Sequence, residues 1–202
     1  MDNYGDKKPG RDKKPAANGP GNGNHNKQRR KAKLVTRLAE FRDIPALVAL
    51  SAKVYGSSGV TEGMLRGQIS IFPEGQFLVE YEGDIVGYCS TFMISGDLCL
   101  RPHTWKEITG GGFASRHDPE GDYLYGMEVC VDQGYRGLRI GTRLYDERRK
   151  LCQELGLKGI VFGGRMPGYQ RRAAKVGSPE EYLSLVQARK IRDQVIMFHL
   201  SN

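Results

Sequence analysis

Met127-Glu128-Val129-Cys130-Val131-Asp132-Gln133-Gly134-Tyr135-Arg136-Gly137-Leu138-Arg139-Ile140-Gly141-Thr142-Arg143-Leu144-Tyr145 reads as a strand, a short basic glycine loop and a helix. A glycine-bearing loop that opens a helix points several backbone N–H groups at one spot. The helix dipole adds partial positive charge there, so the spot favours an anion such as a diphosphate. Arg136, Arg139 and Arg143 add full positive charge around it. Such a loop can also serve merely to turn the chain, so the flanks decide between the two readings. Tyr123–Val131 is rich in β-branched and aromatic residues, as a strand should be. Ile140, Leu144, Leu151 and Leu155 fall near helical spacing, Asp146 and Lys150 form an i,i+4 pair on another face, and Gly156 ends the helix. Residues 158–163 follow as a short apolar strand, and a parallel strand–helix–strand unit is the simplest topology for that order.

A chain of 202 residues suits one substantial domain and not comfortably two. No run of about 18 apolar residues exists to span a membrane. The N-terminus lacks the apolar core of a secretory signal. Cys89, Cys99, Cys130 and Cys152 sit far apart without a C-x-x-C, and read as reduced, mostly buried thiols of a cytoplasmic protein. His25, His103, His117 and His199 have no metal-ligand spacing, so no metal site is expected.

The charge is concentrated at one end. Residues 1–33 carry ten Lys or Arg against three Asp, which is +7 of the chain's net +8. Rich in Gly, Asn and Pro and nearly devoid of large apolar residues, this segment is expected to be a disordered basic tail, with a folded domain over residues 34–202. Such an arm can make weak phosphate contacts to nucleic acid. A purely solubilising role is the favoured reading, because Tyr4 is its one aromatic residue and offers no platform for stacked bases.

Within the domain, residues 34–38 read as a first strand. Asp43 and Pro45 start a helix running to about Tyr55, and Thr61 starts a second reaching about Ser70. Residues 76–81 and 85–94 are strands joined by the hairpin signal Glu82-Gly83-Asp84. Residues 98–122 form a long irregular stretch, of the kind that is usually functional or mobile. The quoted strand and helix and the strand at 158–163 follow. Ser178-Pro179-Glu180-Glu181 opens a helix ending near Ile191, and residues 194–200 read as a last strand.

Arg136, Gly137, Ile140 and Gly141 fall on the pattern Q/R-x-x-G-x-G/A, so the loop resembles the acetyl-CoA-binding motif of the GNAT N-acetyltransferases. Arg139 departs from it, because a glycine is usual there. Strand, two helices, hairpin, strand, helix, strand, helix, strand is also the GNAT order of elements, so the resemblance covers nearly all of residues 34–202. It implies an α/β (α+β) fold, a central mixed, mostly antiparallel sheet of about six strands flanked by helices. Residues 71–76, 117–122 and 163–169 resemble more narrowly the GNAT half of bacterial proteins that fuse an acetyltransferase to a carbon–nitrogen hydrolase. That subfamily often carries a basic residue where Arg139 sits. No segment matches a Glu-Lys-Cys hydrolase triad, and none is left for a seventh strand.

The resemblance implies acetyl-CoA as co-substrate and a primary amine, small-molecule or peptide, as acceptor. It places the diphosphate on Arg136, Gly137, Leu138, Arg139, Ile140, Gly141 and Thr142, and the pantetheine arm against Val129, Cys130 and Val131. Glu128 is the expected base, as the only carboxylate within an apolar strand, where desolvation raises its pKa. A solvent-facing or arginine-paired Glu128 is the competing reading. Tyr169 is the expected proton donor to the thiolate, with packing on the sheet as its alternative. Glu120 and Asp122 are secondary acidic candidates. Arg165 is a candidate for an acidic substrate group, and Trp105 for a wall of the cleft. A homodimer is in keeping with the resemblance. The other functional classes are a non-catalytic acyl-CoA-binding module partnering a carbon–nitrogen hydrolase, and a nucleic-acid-associated protein acting through the tail.

Overall fold

The computed structural model describes residues 33–202. The expected basic tail lies outside the described residues except for Lys33. The chain forms β1 (Leu34–Leu38), α1 (Ile44–Tyr55), α2 (Glu62–Ile71), β2 (Gln76–Tyr81), β3 (Asp84–Ile94), α3 (Gly96–Cys99), α4 (Trp105–Ile108), β4 (Tyr123–Val131), α5 (Ile140–Glu154), β5 (Ile160–Phe162), α6 (Ala173–Val176), α7 (Pro179–Gln187) and α8 (Gln194–Leu200). The five strands lie in the order β1-β2-β3-β4-β5, antiparallel except for the parallel pair β4–β5.

Local chemistry explains most of these elements. Thr61 caps α2 by accepting from the Met64 N–H, and Ser178 caps α7 by accepting from the Glu181 N–H at 3.1 Å. Glu82 and Gly83 turn the β2–β3 hairpin with φ of 54° and 97°, the paired positive values of the tightest hairpin turn. Gly156, at φ 64°, closes α5. The long stretch before β4 is less irregular than the sequence suggests, because Thr104 caps the short α4 through the Glu107 N–H. At the chain's start, Arg37 of β1 donates to both carboxyl oxygens of Asp43 at 2.7 and 2.8 Å and to Glu80 of β2, fixing the entry of α1 against the sheet.

The sheet divides the core. On one face α1 and α2 bury Ile44, Leu47, Leu50, Leu65 and Ile69 against Leu78, Tyr88 and Cys130. On the other, α5 buries Ile140, Leu144, Leu151 and Cys152 against Val79, Val86 and Cys89. All four cysteines are buried free thiols. A third cluster, Val176, Tyr182, Val186 and Ile196, joins the C-terminal helices.

Two expectations are corrected. The sheet has five strands, because residues 194–200 are helical rather than a sixth strand. Six apolar or aromatic residues in a row cannot separate a strand from a helix by periodicity. The capping residue separates them: Asp193 Oδ1 accepts from the Val195 and Ile196 N–H groups at 3.1 and 3.3 Å. Helix α7 also ends at Gln187, before Ile191, and Arg189 takes a left-handed φ of 58° just beyond it.

Asp193 does more than cap. Its second oxygen accepts from Tyr182 Oη at 2.9 Å and from the Gly168 N–H at 3.1 Å, and the residue is 4 % exposed. Replacing it removes a cap and strands two buried donors. Asp193→Ala should cost about 2 kcal/mol in chemical denaturation and loosen α7 and α8 before the sheet.

Candidate active site

The site is built where β5 leaves β4. Leu124, Tyr125 and Gly126 pair with Ile160, Val161 and Phe162, and there the pairing stops. Beyond it, the backbone of β4 from Met127 to Val131 keeps β3 on one side and no strand on the other. Two side chains reach into the gap. Tyr55 Oη, from the end of α1, donates to the Val129 carbonyl at 2.6 Å. Trp105 Nε1, from α4, donates to the Met127 carbonyl at 3.0 Å.

Along its β3 side β4 carries a bulge. Ser90 pairs with Glu128 and Thr91 with Gly126, leaving Met127 as the extra residue. Strand alternation from Tyr88 to Ser90 puts their partners Cys130 and Glu128 on the face covered by α1. Glu128 accepts a long hydrogen bond from Ser51 Oγ at 3.4 Å, and Ser51 itself accepts from the Val60 N–H at 2.9 Å. Burial pushes the Glu128 carboxyl up to about 7, while Ser51, Arg148 and Arg165 pull the other way. The Arg165 guanidinium lies over the Tyr55 ring, 5.1 Å from its centroid. It has no carboxylate within ion-pair distance among the described residues.

The basic loop sits at the end of the same strand. Asp132 Oδ1 accepts from the Gly134 N–H at 2.9 Å, and its other oxygen accepts from Lys53 Nζ at 2.7 Å, which ties the loop to α1. Gly137 has φ 88° and open space where a Cβ would be. Arg139, the departure from the pattern, is the N-cap of α5 at φ 56° and ψ 30°. That is the left-handed conformation for which glycine is the default, so the backbone of the loop is kept at a conformational cost. Among the described residues, no N–H from Gly137 to Thr142 finds a protein acceptor. This leaves a ring of donors at the start of a 15-residue helix, which fits a diphosphate. Gly141 faces the Phe198 ring of α8, which a Cβ there would meet at 2.5 Å. Helical N–H groups point along the axis and Cβ atoms sideways, so Phe198 covers the flank of the turn rather than its donor end.

The sequence candidates fall in different places. Glu128 and the loop residues 136–142 stand at two ends of one unpaired strand edge, with Val129, Cys130 and Val131 between them. Cys130 points into the core at 1 % exposure, so its contribution is backbone. Tyr169 lies apart, its hydroxyl donating to the Gly177 carbonyl at 3.1 Å and its ring against Tyr182. Asp122 binds Lys158 Nζ and the Gly96 N–H, both at 2.7 Å, at the opposite end of β4, and Glu120 is exposed in the turn before it.

Tyr55, Ser51 and Arg148 went unread in the sequence. A signal existed: Ser51 and Tyr55 are four apart on one face of α1, and Arg148 interrupts the apolar stripe Ile140, Leu144, Leu151 of α5. Among the described residues no group of three or more His, Cys, Asp or Glu could hold a metal ion, and no helix is long and apolar enough to cross a membrane.

Known proteins place this geometry. The chain is 39 % identical over 171 residues to the probable hydrolase YhcX of Bacillus subtilis (strain 168), covering 84 % of this chain and 33 % of that protein. It is 29 % identical over 140 residues to the uncharacterized N-acetyltransferase YkwB of the same organism, covering 69 % of this chain and 62 % of that one. The chain thus spans about a third of the first relative and under two thirds of the second. Among solved structures, the GphF GNAT-like decarboxylase in complex with isobutyryl-CoA superposes with a TM-score of 0.67 at 27 % identity, covering 83 % of this chain and 84 % of that one. The loading GNATL domain of CurA from Lyngbya majuscula shares the fold, with a TM-score of 0.68 at 19 % identity over 83 % of this chain and 82 % of that one. The model of the acetyltransferase (GNAT) family matches residues 44–175, and the chain belongs to that family.

Proposed function

We propose that this chain is an N-acyltransferase with acetyl-CoA as donor and a primary amine as acceptor. The observation that carries the reading is Glu128: a half-buried carboxyl pushed up to about 7, beside the bulge on the β3 side of β4 and on the strand that runs into a loop whose N–H donors have no protein acceptor among the described residues. Bound acetyl-CoA would supply the thioester whose acyl carbon the amine attacks. The N–H groups of residues 137–142 and the guanidinium of Arg136 hold the diphosphate. The edge from Met127 to Val131 offers backbone partners to the pantetheine arm. Glu128 takes a proton from the incoming ammonium, through a water where the two do not touch. Tyr169, the proton donor expected from the sequence, would first have to leave the Gly177 carbonyl. Tyr55 also donates to a carbonyl, that of Val129, but this carbonyl lies on the β4 edge next to Glu128, so Tyr55 has only to turn within the site to take that role.

A second reading has its own support. The likeness to the GNAT-like decarboxylase covers 83 % of the chain, and Arg165, without a carboxylate partner among the described residues, lies over Tyr55 and acts on Glu128. Loss of carbon dioxide from a carboxyl-bearing acyl-CoA would suit that pairing. Mass spectrometry of the acyl product separates the two readings. A non-catalytic module that binds acyl-CoA beside a hydrolase is the remaining alternative, and it would bind the donor without Glu128 mattering to any turnover.

Calorimetric titration of acetyl-CoA should show micromolar binding by the wild type. Arg136→Ala and Gly137→Glu should each lower the affinity at least about tenfold, the second by adding both a strained φ and a negative charge. No binding by the folded wild type would overturn the reading. Arg139→Gly should separate stability from binding: it relieves the left-handed residue, raising stability by about 0.5–1 kcal/mol, yet weakens the anion site severalfold.

Glu128→Gln should lower kcat by about two to four orders of magnitude, and wild-type kcat should fall as pH drops through about 7, where the base becomes protonated. The same variant has a signature in stability. Between 4.5 and about 7 the folded chain holds a proton that the unfolded chain has released, so wild-type stability declines as pH rises through that window. Glu128→Gln escapes the decline. Its stability relative to wild type should rise by about 2–3 kcal/mol from the acid to the alkaline side of the window, read by denaturant melts at both pH values.

A further inference from the structure

Arg148 of α5 is among the largest fully buried side chains, 1 % exposed, and among the described residues it has no carboxylate partner. A buried charge without a counter-charge is costly, and an apolar residue of similar volume is often the more stable choice at such a place. What the guanidinium touches explains its presence. Its Nη2 donates to the Ser90 carbonyl at 2.9 Å and to the Glu128 carbonyl at 2.5 Å. These are the paired residues at the β4 bulge, where Met127 is extra. Gly126 makes the room: a Cβ there would stand 3.1 Å from Nη1 and 3.2 Å from Cζ. The Tyr145 ring lies on the other side, 5.4 Å from Cζ, and Nε has no partner. One side chain therefore bridges both strands of the bulge from the face of the sheet opposite the Glu128 carboxyl.

We infer that Arg148 is a positioning residue: it clamps the β4 bulge through the Ser90 and Glu128 carbonyls and so aims the Glu128 carboxyl into the cleft. The inference rests on Glu128 being the base, and adds to that reading the device that holds it. Without the clamp, two carbonyls lose their donor, the bulge can slide by a residue, and a one-residue slip turns a strand side chain to the other face. The clamp also brings a fixed positive charge behind Glu128. The other groups facing that carboxyl are Ser51 and Tyr55 of α1, Tyr88 of β3, Cys130 of β4 and Arg165 beyond β5. Of these Arg165 alone is charged, and it is exposed.

The test follows the Glu128 side-chain carboxyl by carbon-13 NMR as pH is varied, with the amide shifts of residues 126–129 and steady-state kinetics, in wild type, Arg148→Met, Arg148→Lys and Gly126→Ala. Arg148→Met should raise the Glu128 midpoint by about one pH unit, move the bulge amides and lower kcat on the order of tenfold, with KM for acetyl-CoA within about twofold. Arg148→Lys, which keeps the charge on a shorter arm, should recover part of the midpoint and part of the rate. Gly126→Ala, which crowds the guanidinium but keeps its charge, should move the bulge amides and lower kcat severalfold. Should Arg148→Met fail to fold, the other two variants decide. An unchanged midpoint with unchanged bulge amides in Arg148→Met, or in both other variants, overturns the inference. A wild type with no acyl transfer sinks the proposed function instead, and the titration still reads the clamp.

Discussion

Gly126 and Phe162 form the last pair between β4 and β5, and the separation beyond them is the constraint on which the rest of the site depends. A parallel strand pair that stays together has no vacant edge, and backbone donors and acceptors left vacant inside a fold must be met. Here the vacancy is met in part by Tyr55 and Trp105, two side chains that contribute a single donor each to the carbonyls of Val129 and Met127. Side-chain donors can swing away at the cost of a hydrogen bond, whereas a strand would have to peel. The edge is therefore partly satisfied at rest and available to an extended ligand. The same separation brings α1 and the segment after β5 to one carboxylate, with α4 on the neighbouring Met127 carbonyl.

The electrostatics follow from burial on one side of the sheet and charge on the other. Desolvation by the α1 face favours the protonated Glu128, and the buried Arg148 and nearby Arg165 favour the ionised one. The balance falls near neutrality, where a carboxyl can both accept and release a proton. The fold accepts two costs here, a buried arginine without a counter-ion among the described residues and a left-handed Arg139 at the start of α5, and both lie within the functional strand–loop–helix unit.

Much of this was legible in the order of residues. Strand β4 begins and ends where its β-branched and aromatic run does, and α2 and α7 begin at their caps, because those signals are local. Glu128 stood out as a carboxylate in an apolar strand for the same reason. The illegible parts are those decided by distant residues. Among the described residues, 194–200 have no strand neighbour and do have Asp193, and only the three-dimensional arrangement says so. The hydroxyl partner of Tyr169 is a carbonyl eight residues away, after a short helix that the sequence barely announces. The bulge at Met127 is invisible in sequence altogether, since it is a register shift between two strands and depends on an arginine twenty positions after Glu128.

The four buried thiols bear on how the chemistry can be watched. Burial pushes the thiol pKa of Cys89, Cys99, Cys130 and Cys152 up, so each is held in its unreactive protonated form. Every acyl transfer from a coenzyme A thioester liberates one small, fully solvated thiol. Among the thiols in such a reaction mixture, that product is the one a disulfide-exchange dye meets readily while the protein stays folded. The native chain is thus nearly silent to the reagent, and turnover can be counted optically without mutating a single cysteine.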